Sequence, residues 1–432
     1  MGLVIGIGNS NRNAVKYYGV EKLRQVADPA FTTLLGDATL HTTLPLHNQI
    51  RPCKVNESRQ IVNYLNTTDW TKNADGTASV LDGSDGLDVM IDNPHCWIIA
   101  GGTNAVYERW IVANAPFSYD GDVAIEIKRF VDSPDYCTIH AITGKSRSVR
   151  NETANFAGSG SGETAGGLGY PRTSVSRYGY ETAAAAKGTG WEGLSYVDLV
   201  YVACMMYIEY RTKNLKLALG SGASNWGSAE WAAYNGYNPV FKMFEAQLAL
   251  SGNSGIVSQG YLSGVHSKTF ITPAYTTPLP VWRGRNLLWG NLWAWRSRIE
   301  LEVQAPDAGG KSYLYVAYPP VAADANRSDG SFAFKDTYTL IGEVPQGNDW
   351  IKTMHNGTLA ANVIGGAGET TYGCGHDWNG NIPGSGTARR GVWVGAALNN
   401  GGTCALGSAI ASYAPSYSAV YIGGGFRADV SG

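Results

Sequence analysis

Charged residues are scarce in this sequence. Asp, Glu, Lys and Arg make up 16% of its 432 residues, and the formal net charge is −2, whereas globular domains carry roughly 25% charged residues. No cluster of Lys and Arg exceeds two or three residues, as in "TARRG". Because phosphate neutralisation needs a concentrated basic face, this composition argues against nucleic acid as the main partner.

Long hydrophobic runs and paired cysteines are also missing. No stretch approaches the ~18 continuous apolar residues of a transmembrane helix, so we expect no membrane insertion. The opening "MGLVIGIGNSNRNAVKYYG" has no basic segment and no cleavage site after a long apolar run, and no signal peptide is expected there. No CxxC pair occurs, so free buried thiols of a protein made in the cytosol are expected for Cys53, Cys96, Cys137, Cys204, Cys374 and Cys404.

Motifs with a known chemistry are incomplete. "GIGNSN" at Gly6 lacks the third glycine and the Lys-Ser/Thr ending of a phosphate loop, and the seven His show no HxxxH or HxH spacing. "GSGSG" at 158–162 has the letters of a nucleophile elbow without the flanking strand and helix. "HDWNGN" offers Asp377 and Asn379 oxygens to calcium, although a polar turn is the favoured interpretation. No acidic pair stands out as the two carboxylates of a glycosidase. We therefore predict no catalytic residue, no metal and no cofactor.

Glycine and large aromatic residues are abundant instead. The chain has 55 Gly, 13 Trp and 25 Tyr, and the glycines follow no period, which excludes a collagen-like repeat. The densest aromatic stretch is "WRGRNLLWGNLWAW". We interpret its four tryptophans as buried packing with indole N–H groups bonded to backbone, the alternative being exposed platforms for sugars. They are Trp282, Trp289, Trp293 and Trp295.

Local patterns predict two helices among many short strands. "SRYGYETAAAAKG" has high helix propensity and ends at Gly188. "LSYVDLVYVACMMYIEYR" has Ser195 as a candidate N-cap and a core stripe at helical spacing. "YGVEKLRQVA" predicts a further short helix, and residues from about 220 onward predict loops threaded through small sheets. This is an α+β pattern, with residues 1–87 as a β-rich N-terminal region and 88–432 as the main domain.

Several motifs then resemble one family. "VWRGRNLLWGNLWAW" resembles the "RG-x-x-N-x-WGN-x-W-x-W" segment of phage and prophage proteins with the C-type-lectin fold, a branch that includes formylglycine-generating-enzyme-like domains. "YPRTSVSRYGYETAAAAKGTGWEGLSYVDLVYVACMMYIEYR" resembles the helix pair of that family, and "DGSDGLDVMIDNP" its domain entry. "YTLIGEVP", "GGAGETTYGCGHDW" and "VGAALNNGGTCALGSAIASYAPSYSAVYIGGGFR" follow in the family's order. The resemblance covers most of residues 82–427 and implies a C-type-lectin-like fold with two helices, small antiparallel sheets and long loops.

The resemblance also implies a role for the closing segment, residues 391–427. In variable proteins of diversity-generating retroelements this segment displays changing side chains on a fixed backbone. By position, the display residues for ligand binding here are Leu398, Thr403, Ser412, Tyr413, Tyr417, Ala419 and Tyr421. The corresponding scaffold residues are Gly395, Asn399, Asn400, Gly401, Leu406, Ile422, Gly423 and Arg427. Tyr, Ser and Gly are also the residues that antibody paratopes favour. The alternative is that the tyrosines are buried spacers between loops.

The sequence departs from the family pattern at several positions. The catalytic cysteine pair of formylglycine-generating enzymes has no convincing counterpart in the expected context, which argues against that activity. Leu398 and Ala405 stand where the family has Trp and Gly. The resemblance implies a virion protein of a tailed phage, a fibre or receptor-binding protein that recognises a host-surface glycan or protein. It would be homotrimeric, contact other virion proteins, and use residues 1–87 for attachment or oligomerisation. The alternatives are a polysaccharide-degrading or other lectin-fold enzyme and a purely structural head, neck or tail decoration protein.

Overall fold

The computed structural model describes residues 15–24, 26, 28–156, 167–224, 227, 239–253, 257–270, 275–286, 288–318, 332–365, 375–377, 382–396, 400 and 405–430. Small, mostly antiparallel sheets with few helices form an α+β architecture, as the sequence predicts. Within this described part of the chain, none of the helices has the length and apolarity needed to cross a membrane.

Two sheets contain the first part of the chain. The five-stranded sheet has the order β10-β6-β7-β1-β2 and comprises β1 (Tyr17–Leu23), β2 (Thr33–Gly36), β6 (Cys96–Gly101), β7 (Tyr107–Ala113) and β10 (Ile125–Ile127). The six-stranded sheet has the order β14-β28-β11-β5-β3-β4 and comprises β3 (Arg51–Val55), β4 (Ile61–Tyr64), β5 (Asp88–Asn93), β11 (Phe130–Asp132), β14 (Trp191–Gly193) and β28 (Phe426–Asp429). The last strand of the chain therefore lies inside a sheet begun near residue 51.

The largest sheet has nine strands in the order β21-β20-β19-β25-β26-β24-β22-β23, with β27 pairing in parallel with β19. They are β19 (Trp293–Gln304), β20 (Ser312–Val316), β21 (Thr339–Val344), β22 (Asn348–Met354), β23 (Ala361–Ile364), β24 (Gly375–Asp377), β25 (Thr387–Val394), β26 (Ala409–Ile410) and β27 (Ile422–Gly423). The edge strands β21 and β23 approach within 8 Å between Cα atoms, so this sheet curls toward closure.

Four two-stranded hairpins and five helices complete the described elements. The hairpins join β8 (Ser118–Tyr119) to β9 (Asp122–Val123), β12 (Thr138–Ile139) to β13 (Ser146–Arg147), β15 (Val257–Ser258) to β16 (Tyr261–Leu262), and β17 (Gly264–Phe270) to β18 (Tyr275–Val281). The helices are α1 (Ala38–Thr43), α2 (Arg177–Ala185), α3 (Tyr196–Tyr210), α4 (Lys216–Leu219) and α5 (Glu245–Leu250). Single 3-10 turns span His47–Gln49, Ala154–Phe156, Pro306–Ala308 and Ala333–Asp336.

Helix α3 lies at the centre of the molecule. Ser195 caps its N-terminus and forms a reciprocal capping box with Asp198, which satisfies backbone N–H groups that have no partner inside the helix. Every residue from Tyr196 to Ile208 is buried, as expected for a helix enclosed on all sides. It packs against β6 and β7 of one sheet and β19 of another. The predicted N-cap and core position of this helix are confirmed. The predicted helix over "SRYGYETAAAAKG" is confirmed as α2, which the structure shows to be capped by Ser176.

The helix predicted over "YGVEKLRQVA" is wrong. The segment forms β1, which pairs with β7 on one side and β2 on the other. Tyr18 and Val20 are buried at 1% and 0% exposure, so alternate side chains point into the core as strand geometry requires. Pairing with residues some 90 positions away therefore overrides the local helical pattern of this segment.

The predicted boundary at residue 87 falls between strands that pair with each other. β3 pairs with β5 across it, and β1 pairs with β7. One continuous cluster of buried side chains runs from Tyr18 to Ala428. The attachment role of residues 1–87 stays a prediction.

The tryptophans and cysteines have the predicted environments. Trp282, Trp289, Trp293 and Trp295 are at most 5% exposed. Of their indole groups, Trp289 Nε1 donates to the Gly220 carbonyl at 3.1 Å, and Trp282 Nε1 donates to the Glu209 carboxylate at 2.8 Å. Packing is confirmed, but bonding to backbone holds only in part. Free buried thiols are confirmed for four cysteines, Cys53, Cys96, Cys137 and Cys204; Cys374 and Cys404 lie outside the described residues.

A buried ionic triad joins helix α2 to the largest sheet. Glu300 on β19 is 0% exposed and accepts hydrogen bonds from two buried guanidinium groups. Arg389 on β25 binds both of its carboxylate oxygens, at 3.0 and 2.6 Å, and Arg177 of α2 binds one of them. Such a triad holds its three elements in one arrangement, because separating them leaves a charge buried without a partner.

We expect Glu300→Gln to lower the free energy of unfolding by about 3–5 kcal/mol, since two buried arginines lose a shared carboxylate and Arg177 keeps only Glu181 at 3.7 Å. Chemical denaturation monitored by tryptophan fluorescence measures this. The matched control is Glu343→Gln, which removes the same charge from a half-exposed pair with Lys311 and should leave stability unchanged within error. Equal effects of the two substitutions would contradict the role of the triad.

His47 makes stability depend on pH. It is 0% exposed, its Nδ1 lies 2.8 Å from the Tyr18 hydroxyl, and its Nε2 lies 2.8 Å from the Met205 carbonyl. Burial lowers the pKa of His47 from 6.5 to about 4. Its contribution to stability is therefore complete above pH 6.5 and is lost as the pH falls toward 4, because only the unfolded state takes up the proton.

The stability difference between the protein and its His47→Gln variant should shrink from pH 6.5 to pH 4, by up to about 1.4 kcal/mol per pH unit. Denaturation curves at half-unit pH intervals for both proteins measure the difference, in which the titration of all other groups cancels. A difference that stays constant across this range would refute the prediction.

Candidate functional site

The closing segment crosses the largest sheet above a buried tryptophan. Strands β19 and β25 place Trp295 opposite Trp393, and the two indole rings meet edge to face at 5.2 Å between centroids. Trp393 is 1% exposed. It therefore forms a rigid floor for whatever side chains lie over it.

Three tyrosines, Tyr413, Tyr417 and Tyr421, lie over this floor and are here called the tyrosine cluster. Tyr413 stacks on Trp393 at 4.9 Å and 3°, and Tyr417 stacks on it at 5.5 Å and 18°. The Tyr413 and Tyr417 rings are 4.1 Å apart, and the Tyr417 and Tyr421 hydroxyl groups are 3.1 Å apart. Offset stacking of this kind adds ~0.5–1.5 kcal/mol per pair beyond burial.

Backbone hydrogen bonds hold the loop that carries the cluster. Its carbonyl groups accept from four amides in three separate parts of the chain: Gly391 N to Tyr413 O at 3.0 Å, Arg177 N to Pro415 O at 3.1 Å, Ser174 N to Ala419 O at 3.0 Å and Trp293 N to Tyr421 O at 2.9 Å. The path of the loop is thus fixed by main-chain atoms. Its side chains can differ without loss of these bonds.

Glycines fix the end of the segment. A Cβ atom at Gly423 would collide with the Tyr136 ring, and one at Gly424 would lie 2.7 Å from the Tyr180 ring. Tyr136 and Tyr180 are themselves fixed by hydroxyl bonds to the Leu292 and Arg172 carbonyls, at 2.5 and 2.6 Å. The run "GGG" is therefore required for close packing where β27 leads into β28.

The structure places five of the seven predicted display residues. Tyr413, Tyr417, Ala419 and Tyr421 are partly exposed. Ser412 is only 6% exposed, because the chain turns inward after β26, and its side chain does not belong to the exposed face. Leu398 and Thr403 lie outside the described residues.

The predicted scaffold positions that the structure describes are mostly interior. Leu406, Ile422 and Arg427 are at most 4% exposed, Gly423 is also buried, and Gly395 has a positive φ of 98°. Asn400 is partly exposed. Asn399 and Gly401 lie outside the described residues.

No protein-family model matches the chain, and no curated protein is significantly similar to it.

The residues of the tyrosine cluster and its loop determine which chemical groups this surface offers. Residues 405–426 contain no Asp, Glu, Lys or Arg, so the loop offers aromatic faces, hydroxyl groups and backbone amides. Among the described residues, no group of three His, Cys, Asp or Glu is arranged to hold a metal ion. The interactions that such a surface offers are stacking and neutral hydrogen bonds, which suit uncharged sugars and protein backbones.

Sequence reasoning missed several residues of this face. Trp393 supplies the floor, and Ser416 and Ser418 are exposed between the tyrosines. Arg177 binds the loop through its backbone amide, and the next residue, Tyr178, is 45% exposed. The alternation of Tyr and Ser in "YAPSYSAVY" was a signal for the serines. Nothing local in the sequence links Tyr178 or Trp393 to this loop.

We expect Gly423→Ala to lower the free energy of unfolding by about 1–3 kcal/mol, because the added methyl group overlaps the fixed Tyr136 ring. The exposed Ser418→Ala, five residues away, should change it by less than about 0.5 kcal/mol. Urea denaturation of both variants measures the effect. A neutral Gly423→Ala would show that the segment end is not tightly packed.

Proposed function

We propose that this chain is a virion protein of a tailed phage, a fibre or receptor-binding protein that recognises a host-surface glycan or protein. The ligand would bind the face formed by the tyrosine cluster, Ala419, Ser416 and Ser418. The observation that carries the proposal is a set of partly exposed, mutually stacked tyrosines on a loop whose path is fixed by backbone bonds.

The tyrosine rings are held in fixed positions before any ligand binds, which supports a binding role. Immobilising a rotamer-rich side chain on binding costs about 0.5–1.5 kcal/mol. Tyr413 and Tyr417 are already stacked on a buried indole, so a ligand meets them in place. Tyrosine also presents an apolar ring and a hydroxyl group together, which suits a sugar ring bearing both C–H and O–H groups.

The proposal includes a C-type-lectin-like fold for residues 88–432 and a homotrimeric assembly. Two helices in the predicted order, small sheets and long connections support the fold assignment. A trimer would present three copies of the face, so that a weak single site gains strength from simultaneous binding. Residues 1–87 would provide attachment to other virion proteins.

The test compares the parent protein with a Tyr413/Tyr417/Tyr421→Ala variant on a glycan array and on whole host cells. Loss of the rings should weaken binding at least about tenfold, as expected for central aromatic contacts. The matched control is Tyr313→Ala, which removes a partly exposed tyrosine of β20 and should bind as the parent does. Light scattering gives the oligomer mass, and circular dichroism checks folding.

Undiminished binding by a folded triple variant would refute the role of the cluster. Cleavage of a bound glycan would show that the protein is an enzyme rather than a binding protein. A stable trimer that binds neither cells nor glycans would favour a purely structural decoration protein.

A further inference from the structure

A second candidate site lies at the end of the six-stranded sheet, away from the residues of the tyrosine cluster. An open pocket of about 410 Å³ is formed where β3 begins, β5 ends and the chain enters β11. Pockets of roughly 300–1,000 Å³ commonly hold small ligands. Arg51, Tyr64, Asp92 and Arg129 are among its lining residues.

Arg51 lines this pocket, and its guanidinium group has no carboxylate partner among the described residues. Its Cζ atom lies 4.3 Å from the centroid of the Tyr64 ring, a cation–π contact that orients the group. Among the described residues its guanidinium group makes no ion pair and no side-chain hydrogen bond beside this ring contact. An arginine that is oriented but has free N–H donors is suited to bind a planar anion with two hydrogen bonds.

Arg129 provides a second cation, which hydrogen bonds to Asp92 and Tyr64 hold in place. Its Nε and Nη2 donate to the two oxygens of Asp92 at 3.0 and 2.8 Å, and Nη2 also donates to the Tyr64 hydroxyl at 3.0 Å. Nη1 has no partner among the described residues, and the side chain is 46% exposed. Arg51 and Arg129 thus both contact Tyr64, which links them across the pocket.

The remaining lining is polar and carries little negative charge. Burial and then the neighbouring Asp92 carboxylate raise the pKa of Tyr64 to about 12, so its hydroxyl is neutral and donates to Asp92 at 2.9 Å. The lining also includes Asn48, whose amide is bonded to the Thr43 carbonyl and to Arg283. Gln49 donates its Nε2 to the Pro45 carbonyl at 3.2 Å, which leaves its Oε1 as an acceptor for a ligand.

With the lining His95 counted as neutral, two arginines and one aspartate leave a formal charge of +1. The Glu126 carboxylate, 2.8 Å from His95 Nε2, reduces it further, so the pocket matches one carboxylate better than a phosphate dianion.

We infer that this pocket binds an acidic saccharide, with its carboxylate on Arg51 and Arg129 and a hydroxyl group donating to Gln49 Oε1. The inference does not rest on the proposed receptor-binding face, because none of its residues belongs to the tyrosine cluster. It adds a charge-dependent site to the neutral aromatic face of the tyrosine cluster.

The test is titration of the full chain with D-glucuronate, D-glucose, acetate and inorganic phosphate, followed by calorimetry or ligand-observed NMR. Glucuronate should bind about tenfold or more tightly than either glucose or acetate. Glucose lacks the carboxylate that forms the charge-assisted hydrogen bonds, and acetate lacks the sugar hydroxyl groups. Its affinity should fall as salt is raised. Phosphate that binds as well as glucuronate would overturn the saccharide assignment.

The deciding variant is Arg51→Gln, with Lys128→Gln as its control. Lys128 is exposed beside Arg129 and does not line the pocket, so the control removes the same charge without the proposed contact. Arg51→Gln should weaken glucuronate binding about tenfold or more and Lys128→Gln only slightly. Equal losses would reduce the site to nonspecific attraction and overturn the proposal, whereas the Tyr413/Tyr417/Tyr421→Ala variant should bind glucuronate normally.

Discussion

The buried contact of Glu300 with Arg177 and Arg389 is the constraint on which the rest of the structure depends. It joins α2 to two adjacent strands of the largest sheet, and all three side chains are at most 4% exposed. The backbone of Arg177 takes part as well, since its amide binds the Pro415 carbonyl in the loop that carries the tyrosines. One residue thus connects the charged interior to the candidate binding face. If α2 shifted, both the sheet pairing and the path of that loop would change.

Other buried ion pairs occur throughout the interior. Asp88 contacts Lys187 and Arg147, Asp132 contacts Arg285, Glu108 contacts Lys213, and Glu209 contacts Arg283, all with little exposure. A chain with few charges therefore places a large share of them inside. Buried pairs contribute little net stability compared with apolar packing, but a misplaced element would leave a charge unpaired. In a molecule built from many short strands, we interpret these pairs as selecting one arrangement of sheets.

The two candidate binding sites differ in their charge. Residues 405–426 carry no charge, so recognition by the tyrosine cluster would depend on stacking and neutral hydrogen bonds and would be insensitive to salt. The pocket at Arg51 and Arg129 is the opposite case, because its proposed ligand is held by charge and salt would weaken it. Both sites share one feature: an aromatic ring supports the side chain that would contact the ligand. Trp393 supports Tyr413, and Tyr64 orients Arg51.

The sequence by itself determined the features that depend on neighbouring residues. Ser195 and Asp198 cap α3 within four positions of each other, the tryptophans of 282–295 are buried, and the α+β class follows from the local patterns. Only the tertiary structure decided that "YGVEKL" is a strand, that Ser412 faces inward, and that Tyr413 and Tyr417 stack on Trp393. It also decided the pairing of Glu300 with arginines 123 and 89 positions away. Caps and helical stripes are satisfied within a few residues, whereas strand pairing, ring stacking and buried ion pairs need partners that only folding brings together.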